Sequence, residues 1–263
     1  MGLFAQFDLL HAVAGFFVGL LVGLTGVGGG SLMTPILVLL FGINPQTAVG
    51  TDLLYAATTK VAGSAVHGWR ETVDWKIVRR LATGSLPAAV LTLLVLSTFG
   101  RIGKSAEHVI LIILGGMLVL TAIAVAFQKR LIAFAQHREP LEPPGKATAG
   151  TIILGAVIGL LVSISSVGAG AIGVTALLML YPRLPVSRIV GTDIAHAVPL
   201  ALVAGFGHWI IGDVNGHLLV NLLVGSIPGV IIGSLISTCA PDGLLRPALA
   251  IVMLASGAKL LLQ

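Results

Sequence analysis

Residues 19–32 read GLLVGLTGVGGGSL, and residues 159–172 read GLLVSISSVGAGAI. The two stretches follow one template at a shift of 140, and both interrupt a hydrophobic run with glycine. After one inserted residue the shift becomes 141. Gly50-Thr51-Asp52 then falls on Gly191-Thr192-Asp193, His67 on His208, and Val73-Asp74 on Val214-Asn215. Gly84-Ser85-Leu86-Pro87 falls on Gly225-Ser226-Ile227-Pro228. Low-complexity apolar sequence yields chance matches, but not a fixed order of Gly, Asp, His and Pro. The chain is therefore read as a duplication, with halves 1–127 and 147–263. The polar loop 128–146, carrying Pro140, Pro143 and Pro144, joins them.

The solvent of this chain follows from its composition. It has 263 residues, 56% hydrophobic and 10% charged, with a mean hydropathy of +1.06. Soluble domains carry roughly 25% charged residues, so lipid is expected to be the main solvent. No polar stretch is long enough to form a soluble domain. No Lys or Arg precedes the first apolar run and Asp8 stands there instead, so the N-terminus reads as a first membrane helix rather than a cleaved leader. Cys239 is the only cysteine, which excludes an intrachain disulfide and a cysteine metal site. The net charge of +5 is assigned to cytoplasmic loops and not to a nucleic-acid partner.

Apolar runs fall near 9–24, 31–41, 47–66, 77–99, 107–127, 147–164, 171–181, 188–211, 217–238 and 244–262. Those at 31–41 and 171–181 are too short to span. Eleven helical residues reach only about 16 Å against a hydrocarbon core of about 30 Å. They are predicted to be half-helices or parts of re-entrant hairpins, which survive only where protein or a watery cavity covers them. If each run reverses the chain's direction, one face receives Arg70, Lys76, Arg79, Arg80, Lys129, Arg130, Arg138, Lys146, Arg183, Arg188 and Arg246. The other receives Arg101 and Lys104, while Lys60 and Lys259 lie inside runs. The positive-inside rule then puts the first face in the cytoplasm and both termini outside. Five elements per half is odd, so the second half enters upside down. The predicted fold is an all-α polytopic membrane protein of two inverted-topology repeats with broken or re-entrant helices at the glycine motifs.

Chemistry is sought first at the glycines. Three in a row, Gly28 to Gly30, cost roughly 1 kcal/mol each inside a helix. They break it, and the half-helix starting near Ser31 directs its positive end inward, where an anion is favoured. Thr25, Gly28, Gly29, Gly30 and Ser31 form this candidate substrate site, with Ser165, Ser166, Gly168 and Gly170 as the second copy. Small residues also allow plain close packing, and Gly15, Gly19, Gly23, Gly225, Gly229 and Gly233 suit that role. The same surfaces would serve a homodimer. Lys60 lies mid-run, its counterpart is Ala201, and it is read as anion attraction or charge balance. Asp52 and Asp193 are read as coupling or structural charges, with helix N-capping as the competing role. His67 and His208, at matching run ends, join the same group, and His196 shares a helical face with Asp193. No metal pattern and no cofactor motif is present, and the glycines lack the Lys-Ser/Thr of a nucleotide loop.

The stretch GLTGVGGGSLMTPILVLLFGINPQTAVGTDLLYAATTKVAGSAVHG from Gly23 to Gly68 resembles the sulfite exporter TauE/SafE family. So do its degenerate copy over residues 163–208 and VDWKIVRRLATGSLPAA from Val73. The resemblance extends over nearly the whole chain. It implies a permease of the bacterial inner membrane that moves small sulfur-containing or organic anions such as sulfite and sulfonates. The second motif has Ala169 and Ala171 where the first has Gly29 and Ser31, so two equivalent sites are not expected. The predicted function is anion export by alternating access around a midplane site, and the chain is not expected to be an enzyme. A passive anion channel would use the same residues. An intramembrane aspartyl hydrolase would need Asp52 and Asp193 as a dyad, but the GxGD pattern of that class is missing.

Overall fold

In the computed structural model the described residues are 8–25, 30–67, 73–99, 104–136, 144–168, 170–236 and 242–262. They form eleven helices and, among the described residues, no strand. In chain order these are α1 (Leu9–Thr25), α2 (Gly30–Leu39), α3 (Pro45–His67), α4 (Trp75–Phe99), α5 (Lys104–Ala126) and α6 (Gln128–Gln136). Then follow α7 (Pro144–Ser165), α8 (Ala171–Leu180), α9 (Val186–Ile211), α10 (Gly216–Ile236) and α11 (Asp242–Leu261). The two short runs are indeed short helices, α2 and α8, of 10 residues each.

Among the described residues, five segments are long and apolar enough to cross a membrane: Trp75–Thr98, His108–Ala126, Ala147–Ser165, Val186–Ile211 and Gly216–Ile236. Their outer faces are apolar, as Leu91, Leu94, Ile153, Phe206, Val224 and Leu235 illustrate by their exposure. In water such a surface would be a liability; in lipid it is the expected contact. The helix α3 behaves the opposite way. It carries Thr51, Asp52, Thr59 and Lys60, yet Ala48, Val49, Leu53, Tyr55 and Ala57 are almost wholly buried. It is surrounded by α2, α9 and α10, so its polar groups meet protein rather than lipid.

The linker differs from the sequence reading. Where a polar loop was expected, residues 128–136 form α6. Leu131 and Ile132 are half-buried, and Ile132 packs into the cluster built from Ile77, Leu81, Leu177 and Ile189. The other side keeps Arg130, whose guanidinium lies 5.7 Å from the Phe127 ring. An amphipathic segment of this kind gains packing as a helix that a loop would forgo.

Several helix pairs approach at backbone distance, among them α1–α10, α4–α7 and, at Gly115 and Gly257, α5–α11. Along α1 and α10, a Cβ built on Gly15, Gly19 or Gly23 would collide with the carbonyls of Leu222, Ser226 or Val230. In return, a Cβ on Gly225, Gly229 or Gly233 would strike those of Ala12, Phe16 or Leu20. Along α4 and α7, Gly84, Gly155 and Gly159 stand in the same relation to Ile152, Leu81 and Ser85. Adding 141 to the α4 motif gives the α10 motif, so one kind of contact occurs twice. Hydrogen bonds repeat in the same way. The Asp74 N–H donates to Thr192 Oγ1 at 2.9 Å, and the Asn215 N–H donates to Thr51 Oγ1 at 3.1 Å. Each residue of the first bond maps to its partner in the second by the shift of 141.

Gly19→Val is expected to lower the thermal midpoint of the detergent-solubilised protein sharply, because backbone atoms of α10 cannot yield as a side chain can. The loss is about 1–3 kcal/mol or more. Gly116→Ala, where nothing lies within 4 Å, is expected to leave the midpoint unchanged.

Candidate functional site

The half-helices and the aspartates meet. In α3, Asp52 stands two turns in, so it is not the cap of its own helix. Asn44 has that role, its Oδ1 accepting from the Gln46 N–H at 3.0 Å. Asp52 is instead fully buried against α2, where the Thr34 hydroxyl donates to its Oδ2. Its Oδ1 is buried without a partner. Asp193 holds the matching place in α9 and is 3% exposed. Its Oδ1 lies where a Cβ on Gly173, in the first turn of α8, would fall. The capping alternative is thus not what the structure has: each carboxylate lies against the neighbouring half-helix, Asp52 at Thr34 in the second turn of α2 and Asp193 at Gly173 in the first turn of α8. The N-terminal turn of a helix carries positive partial charge, so each buried carboxylate has a physical reason to be there.

Lys60 completes the centre. Its ammonium interacts electrostatically with Asp193 and Asp52, and its charge also reaches His196. Among the described residues it closes no ion pair with either carboxylate. Two residues absent from the sequence-based site join it. His196, fully buried, makes a 2.7 Å hydrogen bond through Nε2 to Ser85 Oγ, and its Nδ1 is unpartnered. Tyr55, also fully buried, is its counterpart at the shift of 141, and Ser226 is that of Ser85. The Tyr55 hydroxyl lies by Ser226 with both oxygens unpartnered. Spacing had put His196 on the face of Asp193; the Tyr-for-His exchange hid Tyr55 from any comparison of identical residues.

The glycine-motif residues divide. Gly28 and Gly29 lie outside the described residues, as does the side chain of His67. Gly30 opens α2, and Ser31 follows, buried at 6% exposure. Thr25 bonds back to the Leu21 carbonyl at 2.7 Å, one turn earlier in α1. Ser165 ends α7, donating to the Leu161 carbonyl at 2.8 Å and accepting from the Val167 N–H at 3.2 Å. Ser166 is different. Its φ of 57° is left-handed, costly for a residue with a Cβ, and its counterpart in the first motif is Gly26. Its hydroxyl is buried, unpartnered and near Asp52. Gly168, at φ 117°, and Gly170 lead into α8. His208 belongs elsewhere. It lies roughly 22 Å along α9 from Asp193, and its Nε2 donates to the Ser163 carbonyl at 2.8 Å. It fastens α9 to α7 and takes no part in the centre. No group of three or more His, Cys, Asp or Glu suited to a metal occurs among the described residues.

The arrangement has groups suited to an anion: a cation with no ion pair among the described residues, two short helices, and the hydroxyls of Thr34 and Ser166. The family model described as sulfite exporter TauE/SafE matches residues 11–260. A probable membrane transporter protein of Bacillus subtilis (strain 168), YjnA, is 43% identical over 94% of this chain and 97% of its own length. A second from that organism, YdhB, is 28% identical over 94% of this chain and 97% of its own length. An archaeal relative from Methanocaldococcus jannaschii, the probable membrane transporter protein MJ0441, is 26% identical over 83% of this chain and 78% of its own length. No solved structure matches the chain.

Ser85→Ala leaves both His196 nitrogens buried without a partner, at a cost of about 1–3 kcal/mol. The thermal midpoint in detergent is expected to fall, while Ser97→Ala on the exposed side of α4 leaves it in place.

Proposed function

The chain belongs to the sulfite exporter TauE/SafE family, and from that premise we propose that it is a secondary transporter exporting small sulfur-containing or organic anions such as sulfite and sulfonates. It is a multi-pass membrane protein, with relatives named as probable membrane transporters. The anion reading is supported by Lys60, whose charge acts on both Asp193 and Asp52, and by the placement of those carboxylates against α8 and α2. An anion placed there meets an ammonium, helix N-termini and the hydroxyls of Ser31, Thr34 and Ser166, the donor set that oxyanions require. A net negative cargo is expelled by an inside-negative potential at about 2.3 kcal/mol per charge per 100 mV.

Alternating access by inverted repeats fits the repeated contacts. The α1–α10 and α4–α7 pairs exchange under the shift that relates the halves, and so do the two Thr–backbone bonds. In this reading 1–127 and 147–263 rock about the centre, which sits in the plasma membrane of a bacterial cell with both termini outside. A cysteine-reactive, membrane-impermeant label should then reach a C-terminal cysteine in intact cells, and labelling only after lysis would overturn that orientation.

The transport reading is tested in proteoliposomes. Wild type is expected to move sulfite or methanesulfonate with saturation. Lys60→Met and Ser31→Leu should lower the rate about tenfold or more while the protein stays folded, the loss of one charge-assisted contact being worth about 1.5–3 kcal/mol. Unchanged flux in both variants would remove the site from this centre.

A further inference from the structure

The charges of the centre sum close to zero before any substrate arrives. Lys60 contributes one positive charge, and the starts of α2 and α8 roughly half a charge each. Asp52 and Asp193, when ionised, contribute two negative charges. An anion added to this set leaves an excess of negative charge in the least hydrated part of the molecule, where an uncompensated charge is unstable. The anion also competes with the carboxylates for the same three positive groups.

One of the two carboxylates can yield. Asp52 accepts from the Thr34 hydroxyl and lies by Ser166. The Asp193 oxygens meet no donor among the described residues, and Lys60 is the one charge acting on them. The surrounding elements supply little else that ionises. From α3 come Asp52, Tyr55 and Lys60, and α9 itself adds His196. The helices α2 and α8 contain no ionisable side chain. Ser166 follows the end of α7, α10 turns Ser226 inward, and α4 presents Ser85, its cations Lys76, Arg79 and Arg80 lying in its first two turns.

We propose that an anion enters this centre together with a proton taken up on Asp193, so that the protein moves anion and proton as a pair. The inference rests on the transport reading above and adds its coupling ion. An O–H bond forms on an Asp193 oxygen with a proton drawn from water on the loading side. It breaks to water on the release side as the anion leaves and the carboxylate again faces Lys60 and α8. A monovalent cargo then crosses without net charge. A divalent one still carries a single negative charge outward, so the membrane potential continues to favour export.

Proteoliposomes loaded with a pH-sensitive dye and clamped at zero potential, with methanesulfonate added outside, provide the test. Methanesulfonate does not itself titrate near neutrality, so any proton movement belongs to the protein. Wild type should acidify the lumen by about one proton per anion. Asp193→Asn, which keeps the neutral shape, should retain anion flux with the proton movement lost and with flux becoming dependent on potential. Asp193→Glu should restore coupling, and His196→Gln should keep it. Wild-type methanesulfonate flux without protons would overturn the proposal, as would coupling that survives Asp193→Asn or disappears only in His196→Gln. Should Asp193→Asn fail to fold, calorimetry of methanesulfonate binding to wild type in buffers of differing ionisation heat decides the matter, since proton uptake appears as a buffer-dependent enthalpy. If neither sulfite nor methanesulfonate binds or moves, the transport reading itself falls.

Discussion

The close approach of backbones along α1–α10 and α4–α7 is the constraint on which the rest of the fold depends. In lipid there is no hydrophobic drive to bring helices together, so contact must come from packing area and backbone proximity. Glycine at 15, 19 and 23 against 225, 229 and 233 gives both, with each carbonyl of one helix occupying the place of a missing Cβ on the other. Each pair ties a helix of the first half to one of the second. The helices α3 and α9 are thereby enclosed, and enclosure is what lets them carry aspartate, lysine and histidine at depths where lipid would reject them.

That enclosure also explains the aspartates. A half-helix that starts inside the membrane leaves N–H groups without intrahelical partners, and water cannot be counted on to meet them. Asp52 beside α2 and Asp193 beside α8 set a carboxylate against each half-helix. The half-helices are therefore not vacant anion sites. Each already faces a carboxylate, with which an anion bound there would have to share it.

Much of this could be read in the sequence. Run length gave α2 and α8 as short helices, and the order of Gly, Asp, His and Pro gave the correspondence at 141. The packing role of Gly15, Gly19, Gly23 and their partners followed from spacing. Other parts were not legible. The partners of Asp52 and Asp193 are distant in sequence, and a Gly-Thr-Asp near a run start looks like a cap until the helix is seen to begin two turns earlier. Thr34 carries no motif, and Tyr55 does not resemble His196. Thr25 and Ser165 were chosen for residue type, but their hydroxyls bond back to their own helices. The helix α6 was missed because its charges outweigh its apolar side in any average.

The two Thr–backbone bonds, Asp74 to Thr192 and Asn215 to Thr51, are equal in form but not in surroundings. Beside the first, the Asp74 carboxylate also faces Arg188 at 3.5 Å; at the second an amide replaces the carboxylate. Dissolved salt weakens an exposed ion pair and barely touches a neutral bond. The two matching bonds are thus fastened alike, yet the surroundings of one respond to the ionic composition of the medium and those of the other do not.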